Sequence, residues 1–209
     1  MMLDAEPTPV AYPDAHHVRI HGPRDYRRYK AYKPWLRDEF VFRCVFCLTR
    51  EVWYPSGQNA YHVEHLKPRS RAPHLALDYE NMVYSRGDCN SFKQNKWPIL
   101  DPCRYAYGAH FRVNGDGTIE GLSVAGWRMI RFLRLDRDKL NKFRREKIYK
   151  IRTLWEWRHV PDMAANLKNE LRYPSDLPRL NRRQPNSRRQ NINVSYYERH
   201  RRGELRETY

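Results

Sequence analysis

A chain of 209 residues, 40% of them hydrophobic, has room for one domain, or one compact domain with extensions, and for a core that is lean by ordinary standards. Its 40 Lys+Arg against 24 Asp+Glu leave a formal net charge of +16, more imbalance than solubility requires. A polyanionic partner accounts for that excess, because each neutralised phosphate releases condensed counterions, although mutual repulsion between basic chains is the plainer alternative.

Residues 1–15 carry three acidic side chains and no long apolar run, so they read as neither a signal peptide nor a membrane span. With no lipidation signal at the other end, the expectation is a soluble, cytoplasmic protein with no membrane partner. Four cysteines in such a chain point to metal ligation before disulfides.

In chain order, residues 1–23 hold four prolines and little periodicity, which predicts a loose arm. A short helix is expected after Tyr32, with Pro34 in its first turn and Trp35, Leu36 and Phe40 on one face. Those aromatics, set among basic residues, suit either base stacking or, more simply, anchorage to the core. VFRCVFC reads as a strand entering a knuckle, and EVWYP and AYHVEH read as strands around Pro55-Ser56-Gly57. An irregular stretch from Pro68 to Glu80 follows, then a helix near Asn90–Lys96, giving the order strand, strand, loop, helix. Residues 110–122 predict a hairpin turning at Asn114–Gly117. Helices are expected over Val124–Leu133, over about Asp136–Arg158, and over Met163–Leu171. Residues 179–209 hold nine arginines, three glutamates and few aliphatics, a composition that predicts a flexible basic tail.

Three short elements carry chemistry. Cys44 and Cys47 have the spacing of a knuckle that brings two thiolates to one tetrahedral ion, and Cys89 adds a third soft donor. Glu64 beside His65 suits a hard cation paired with a general base: a carboxylate holds Mg²⁺ or Mn²⁺, and an imidazole takes a proton from water. Asn90 offers a neutral oxygen as a second ligand.

The run Arg43-Cys-Val-Phe-Cys47, then His62-Val-Glu-His-Leu-Lys-Pro-Arg-Ser70, Tyr79-Glu-Asn-Met-Val83 and Cys89-Asn-Ser-Phe-Lys93 resembles the HNH (ββα-metal, His-Me finger) endonucleases. The resemblance spans about residues 43–96. It implies an α+β fold with a ββα-metal core over residues 41–100, an N-terminal basic and aromatic arm with a short helix over 1–40, a hairpin and helical extension over 101–178, and the tail over 179–209. It implies metal-dependent hydrolysis of nucleic-acid phosphodiesters, with DNA the family-based substrate. Carried over by position, His65 is the general base, Glu64 and Asn90 are the ligands of a catalytic Mg²⁺ or Mn²⁺, and Asn81 orients the histidine loop. A structural Zn²⁺ would take Cys44, Cys47 and Cys89. Position 86, where family members with such a zinc usually have a further cysteine, is arginine. That leaves Cys103 as a fourth ligand, or the zinc site altered or lost, with the three cysteines merely packed as small apolar side chains. Residues flanking the motif are similar to a bacterial group of these nucleases, some of which work beside ATPase partners in anti-phage defence, a role that comes by analogy alone.

Lys67, Arg69, Lys93 and Lys96 flank the motif and are candidates to hold phosphate oxygens, against the simpler reading of solvated surface. His62 and His74 read as bystanders, and Tyr84 and Trp97 as core. The competing functional readings are a zinc-knuckle protein that binds nucleic acid without cutting it, and a scaffold subunit. Neither requires Glu64, His65, Asn81 and Asn90 to occur together.

Overall fold

The computed structural model describes residues 5–180 and 191–209. The fold is mixed α+β, with two small antiparallel sheets among helices. Helix α1, Lys33–Glu39, places Pro34 in its first turn, where the missing amide hydrogen has no helical acceptor to serve. Trp35, Leu36 and Phe40 are buried, so the aromatic stripe anchors this helix to the core.

The first sheet pairs β1, Tyr61–His65, with β2, Met82–Arg86. The register sets Tyr61 opposite Arg86, Val63 opposite Tyr84 and His65 opposite Met82. Tyr61 and Tyr84 stack with ring centroids 5.1 Å apart, a cross-strand diagonal that stiffens the ribbon. Helix α2, Gly87–Lys93, follows β2 directly. The observed order is therefore strand, loop, strand, helix, and not two strands before the loop. EVWYP contributes a 3₁₀ turn over Glu51–Trp53. VFRCVFC makes no strand: Val41, Phe42 and Leu48 all have positive φ, and the segment touches the ladder pattern only at the Arg43–Arg50 bridge. The β-branched and aromatic residues that suggested strands there are used instead to fill the core around a tight knuckle, a tertiary override of local propensity.

The hairpin forms as expected, β3 Phe111–Val113 against β4 Ile119–Gly121. Gly117 turns it at φ +82°, and a Cβ there would lie 2.3 Å from the Asn141 carbonyl oxygen, so only glycine fits. Helices α3 Val124–Leu133, α4 Asp138–Glu156 and α5 Pro161–Leu171 complete the extension. Ser123 caps α3 by accepting from the Gly126 amide at 3.0 Å. One core cluster joins α1, β1, β2 and the hairpin, and a second joins Trp53 to Ile151, Leu154, Leu167 and Leu171.

Two expectations fail at the ends of the chain. Residues 1–23, expected to be loose, have no helix or strand among those described, yet they are held to the core. The Tyr12 hydroxyl donates to the Phe46 carbonyl at 2.6 Å, and Arg19 reaches the Met82 carbonyl at 2.7 Å. Buried His21 meets Asp38 at 2.7 Å. The tail beyond 190 also docks. Ile192 is buried, α6 spans Tyr196–Arg201, and the Tyr196 amide donates to Asp38 at 2.8 Å. Tyr209 stacks on Tyr173 at 4.6 Å, with Phe42 packed edge-on. Val194 remains exposed, and the arginines at 182, 183, 188 and 189 lie outside the described residues. Averaged composition concealed how much contact area a few tyrosines and one isoleucine supply. No helix among the described residues is long and apolar enough to cross a membrane.

Candidate functional site

Glu64 and His65 end β1, where the strand runs into the loop that returns at β2. Both are buried, and together with Asn90 of α2 they line one cavity of about 330 Å³, alongside Tyr29, Arg69, Ser70, Gln94 and Asn95. Asn90 therefore shares one pocket with the adjacent Glu64 and His65 because α2 folds straight back from β2 onto β1.

The Glu64 carboxylate is held by two donors on one oxygen. Its Oε1 accepts from the His65 amide at 2.7 Å and from the Lys93 ammonium at 3.4 Å. Its Oε2 is buried and has no hydrogen-bond partner among the described residues. A buried carboxylate oxygen left bare is costly unless something cationic or protic meets it, and an oxygen of this kind is a hard donor. Burial pushes the Glu64 carboxyl above its ordinary range, while Lys93 opposes that shift. Burial likewise lowers Lys93, and Glu64 opposes it.

His65 Nε2 lies 3.0 Å from the Ala76 carbonyl oxygen. A carbonyl can only accept, so Nε2 carries the proton and Nδ1 keeps its lone pair. Burial, then Arg69 and Lys93, hold the imidazole below its ordinary value against the Ala76 hydrogen bond, which favours the neutral, basic form. Tyr29 packs edge-on against the imidazole at 5.2 Å, and the Arg69 guanidinium lies 4.7 Å above the Tyr29 ring.

Asn81 does not enter the cavity. Its Oδ1 accepts from the Lys67 amide at 2.9 Å, and its Nδ2 donates to the Lys67 carbonyl at 3.0 Å and the Leu75 carbonyl at 3.4 Å. It clasps the loop that carries Ala76, and through Ala76 it bears on the His65 ring.

The flanking cations divide. Arg69 is exposed at the cavity rim. Lys93 is wholly buried on Glu64, so it is not available to a phosphate at the surface, contrary to the expectation from sequence. Lys96 donates to the Phe92 and Phe132 carbonyls at 2.7 and 3.0 Å, fastening α2 to α3. Lys67 lies 5.4 Å over the ring of Trp97, which is 41% exposed and not core. Tyr84 is buried, and His62 and His74 are exposed. Tyr29 and Ala76 went unread in the sequence: an aromatic 36 positions before His65 and a backbone carbonyl leave no local signal.

Cys44, Cys47 and Cys89 form a second, separate group, with their sulfurs all within 4.8 Å of one another and all three buried. The Cys44 and Leu48 amides close the knuckle on the Thr49 and Cys44 carbonyls at 2.9 Å. The Val45 amide ties it to β2 through Tyr84 at 3.0 Å. Sulfurs on a common zinc ion each lie about 2.3 Å from it, so three thiols at this spacing fit a soft metal with small adjustments. Cys103 is not in the group. Its amide caps on Asp101, and burial, moderated by Arg19, pushes its thiol up to about 12. The Asp101-Pro102-Cys103 turn packs against the arm, where the His17 amide donates to the Pro102 carbonyl at 2.8 Å. Arg86 stands beside the thiols, paired with Asp88 at 2.6 Å. Burial alone would raise the Cys47 thiol, but hydrogen bonds from Cys44 and Cys89 and the Arg86 charge hold it well below its ordinary value. Burial pushes Cys44 up to about 12. The group thus favours one thiolate steadied by two thiols and a guanidinium.

No protein-family model matches the chain, and no curated protein is similar enough to it to indicate kinship.

Proposed function

We propose that the chain is a metal-dependent endonuclease of the HNH type, hydrolysing nucleic-acid phosphodiesters, DNA in particular, at the cavity of Glu64, His65 and Asn90. The observation that carries this reading is the joint lining of one cavity by a neutral-leaning imidazole, a carboxylate with a bare oxygen and an amide, with a guanidinium at the rim. The family resemblance implies a general base and hard ligands on neighbouring elements, and here His65, Glu64 and Asn90 come to one pocket from β1 and α2. A zinc-knuckle binder or a scaffold would account for the thiols but leaves the bare Glu64 oxygen without a purpose.

The donor set fits a hard divalent cation: Glu64 Oε2 and the Asn90 amide oxygen would hold it, leaving the remaining positions to water and phosphate oxygens. When bound, such an ion supplies electrostatic stabilisation of the charge that develops on the phosphate. The protein's own residues do the rest. His65 Nδ1 takes the proton from the attacking water, and the Nε2–H bond to Ala76 keeps the ring in the tautomer that can do so. Tyr29 and the Asn81-clasped loop limit rotation of the ring. Arg69 draws the phosphate to the rim and can hold two of its oxygens. Lys93 holds Oε1 of Glu64 and opposes the effect of burial on that carboxyl, leaving Oε2 without a protein partner among the described residues.

The thiol group fits a structural soft metal, which Cys44, Cys47 and Cys89 would hold; its contribution is to pin the knuckle to the first turn of α2, next to Asn90.

Incubation of supercoiled plasmid with the purified chain tests the reading. Cleavage should require Mg²⁺ or Mn²⁺ and stop with EDTA. Glu64→Ala and Asn90→Ala should lose cleavage at low Mg²⁺ and regain part of it in excess metal. Cleavage that persists undiminished in EDTA would refute the metal-dependent mechanism.

A further inference from the structure

A second cavity, of about 450 Å³, adjoins the first and shares Tyr29, Val63 and Asn90 with it. Its remaining lining is Lys30, Lys33, His62, Gly87 and Ser91. No aspartate or glutamate lines it. Lys30, in the 3₁₀ turn Tyr29–Tyr32, and Lys33, the first residue of α1, sit three positions apart and both line this hollow. Lys33 is half-buried and donates to the Gln58 carbonyl at 2.8 Å, which fixes the ammonium in place while leaving two of its hydrogens to donate elsewhere. His62 and Ser91 line the same hollow and add an imidazole and a hydroxyl able to hydrogen-bond an oxygen held there.

Most surface lysines are merely solvated. Here two of them, an imidazole and a hydroxyl line a hollow with no acid to neutralise it, and only Asn90, Tyr29 and Val63 separate that hollow from the cleavage cavity. We infer that Lys30, Lys33, His62 and Ser91 form a binding subsite for the phosphodiester next to the one that is cut, so that the nucleic-acid strand runs from Arg69 across His65 and Asn90 to Lys33. The inference rests on the proposed reading insofar as a phosphate occupies the first cavity. It assigns the strand's path, which that reading leaves open. Phosphate contacts position a strand without reading its sequence, so this subsite contributes affinity and register but no base preference.

The test is binding of a short fluorescein-labelled DNA duplex to the full chain in EDTA, across a salt series. The K30Q/K33Q variant should bind more weakly, and the slope of log affinity against log salt should fall by about 1, the loss of one neutralised phosphate. K139Q/K142Q removes the same charge from the exposed face of α4 and should change the slope by much less. Both variants alter exposed or half-buried lysines, and an unchanged melting temperature checks that each is folded. Equal slopes for wild type and K30Q/K33Q, equal losses in the two double variants, or no binding of the duplex by wild type would each overturn the subsite. If binding depends on Lys30 and Lys33 but plasmid is never cut, the subsite stands and the nuclease reading falls. If plasmid is cut while the K30Q/K33Q slope matches wild type, the reverse holds.

Discussion

Lys93 shows how far a motif can place a residue while misjudging its role. Position three after Asn90 was legible, but the fate of the ammonium was not: it is buried on Glu64 rather than offered to solvent. A buried pair broken on one side leaves an uncompensated charge, typically at a cost of about 3–5 kcal/mol. Lys93→Met should therefore lower unfolding free energy by that order, measured by urea denaturation. Adding Glu64→Gln should recover part of the loss, because the two changes act on one interaction and are not additive. Additive losses would mean that the two groups do not support each other. The convergence of Glu64, His65 and Asn90 on one cavity was legible because they lie in an ordered pattern; the Ala76 carbonyl that fixes the His65 tautomer was not, since any residue offers a carbonyl. Burial and the nearby cations Arg69 and Lys93 act on the imidazole in one direction, towards the neutral form.

At the scale of elements, periodicity found α1, the hairpin and α3 to α5 with small errors at their ends. It failed where tertiary packing overrides propensity, in the knuckle and in the 3₁₀ turn at Glu51–Trp53. The order of the second strand and the histidine loop was also misjudged, because MVYSR is a short apolar run that periodicity alone cannot assign. That order matters to function: it lets Asn81, in the 3₁₀ turn just before β2, reach back and clasp the loop after His65. Asn81→Ala should lower the cleavage rate by about 10-fold or more, through loss of ring positioning, with circular dichroism and duplex binding unchanged. A variant that loses binding in proportion to rate would show Asn81 to be a general fold support instead. The thiol group gives a second expectation at this scale. The purified chain should carry about one zinc ion by elemental analysis, and Cys89→Ser should lose it and melt earlier. Full-length chain free of metal yet equally stable would mean that the three cysteines serve as packing alone.

Among the described residues, both ends of the chain pack against the core that holds α1, β1 and β2. The arm donates Tyr12, Arg19 and His21 to the core, and residues 191–209 return to Asp38, Phe42, Arg50 and Tyr173. Ile192→Ala should accordingly lower stability by about 2–5 kcal/mol, the range for a large aliphatic lost from a core; no change in the urea midpoint would restore the flexible tail that composition suggested. The positive charge spread over the surface fits a polyanion, yet charge alone would be shared by a scaffold or a passive binder. What separates the readings is catalysis by His65. Wild type and His65→Ala, purified side by side and shown to bind the same DNA duplex equally, should be compared on supercoiled plasmid with Mg²⁺. Wild type should cut, and the variant should cut about 10² to 10⁴ times more slowly, the usual worth of a general base. A variant that cuts at the wild-type rate, with contaminating nuclease excluded, would contradict it.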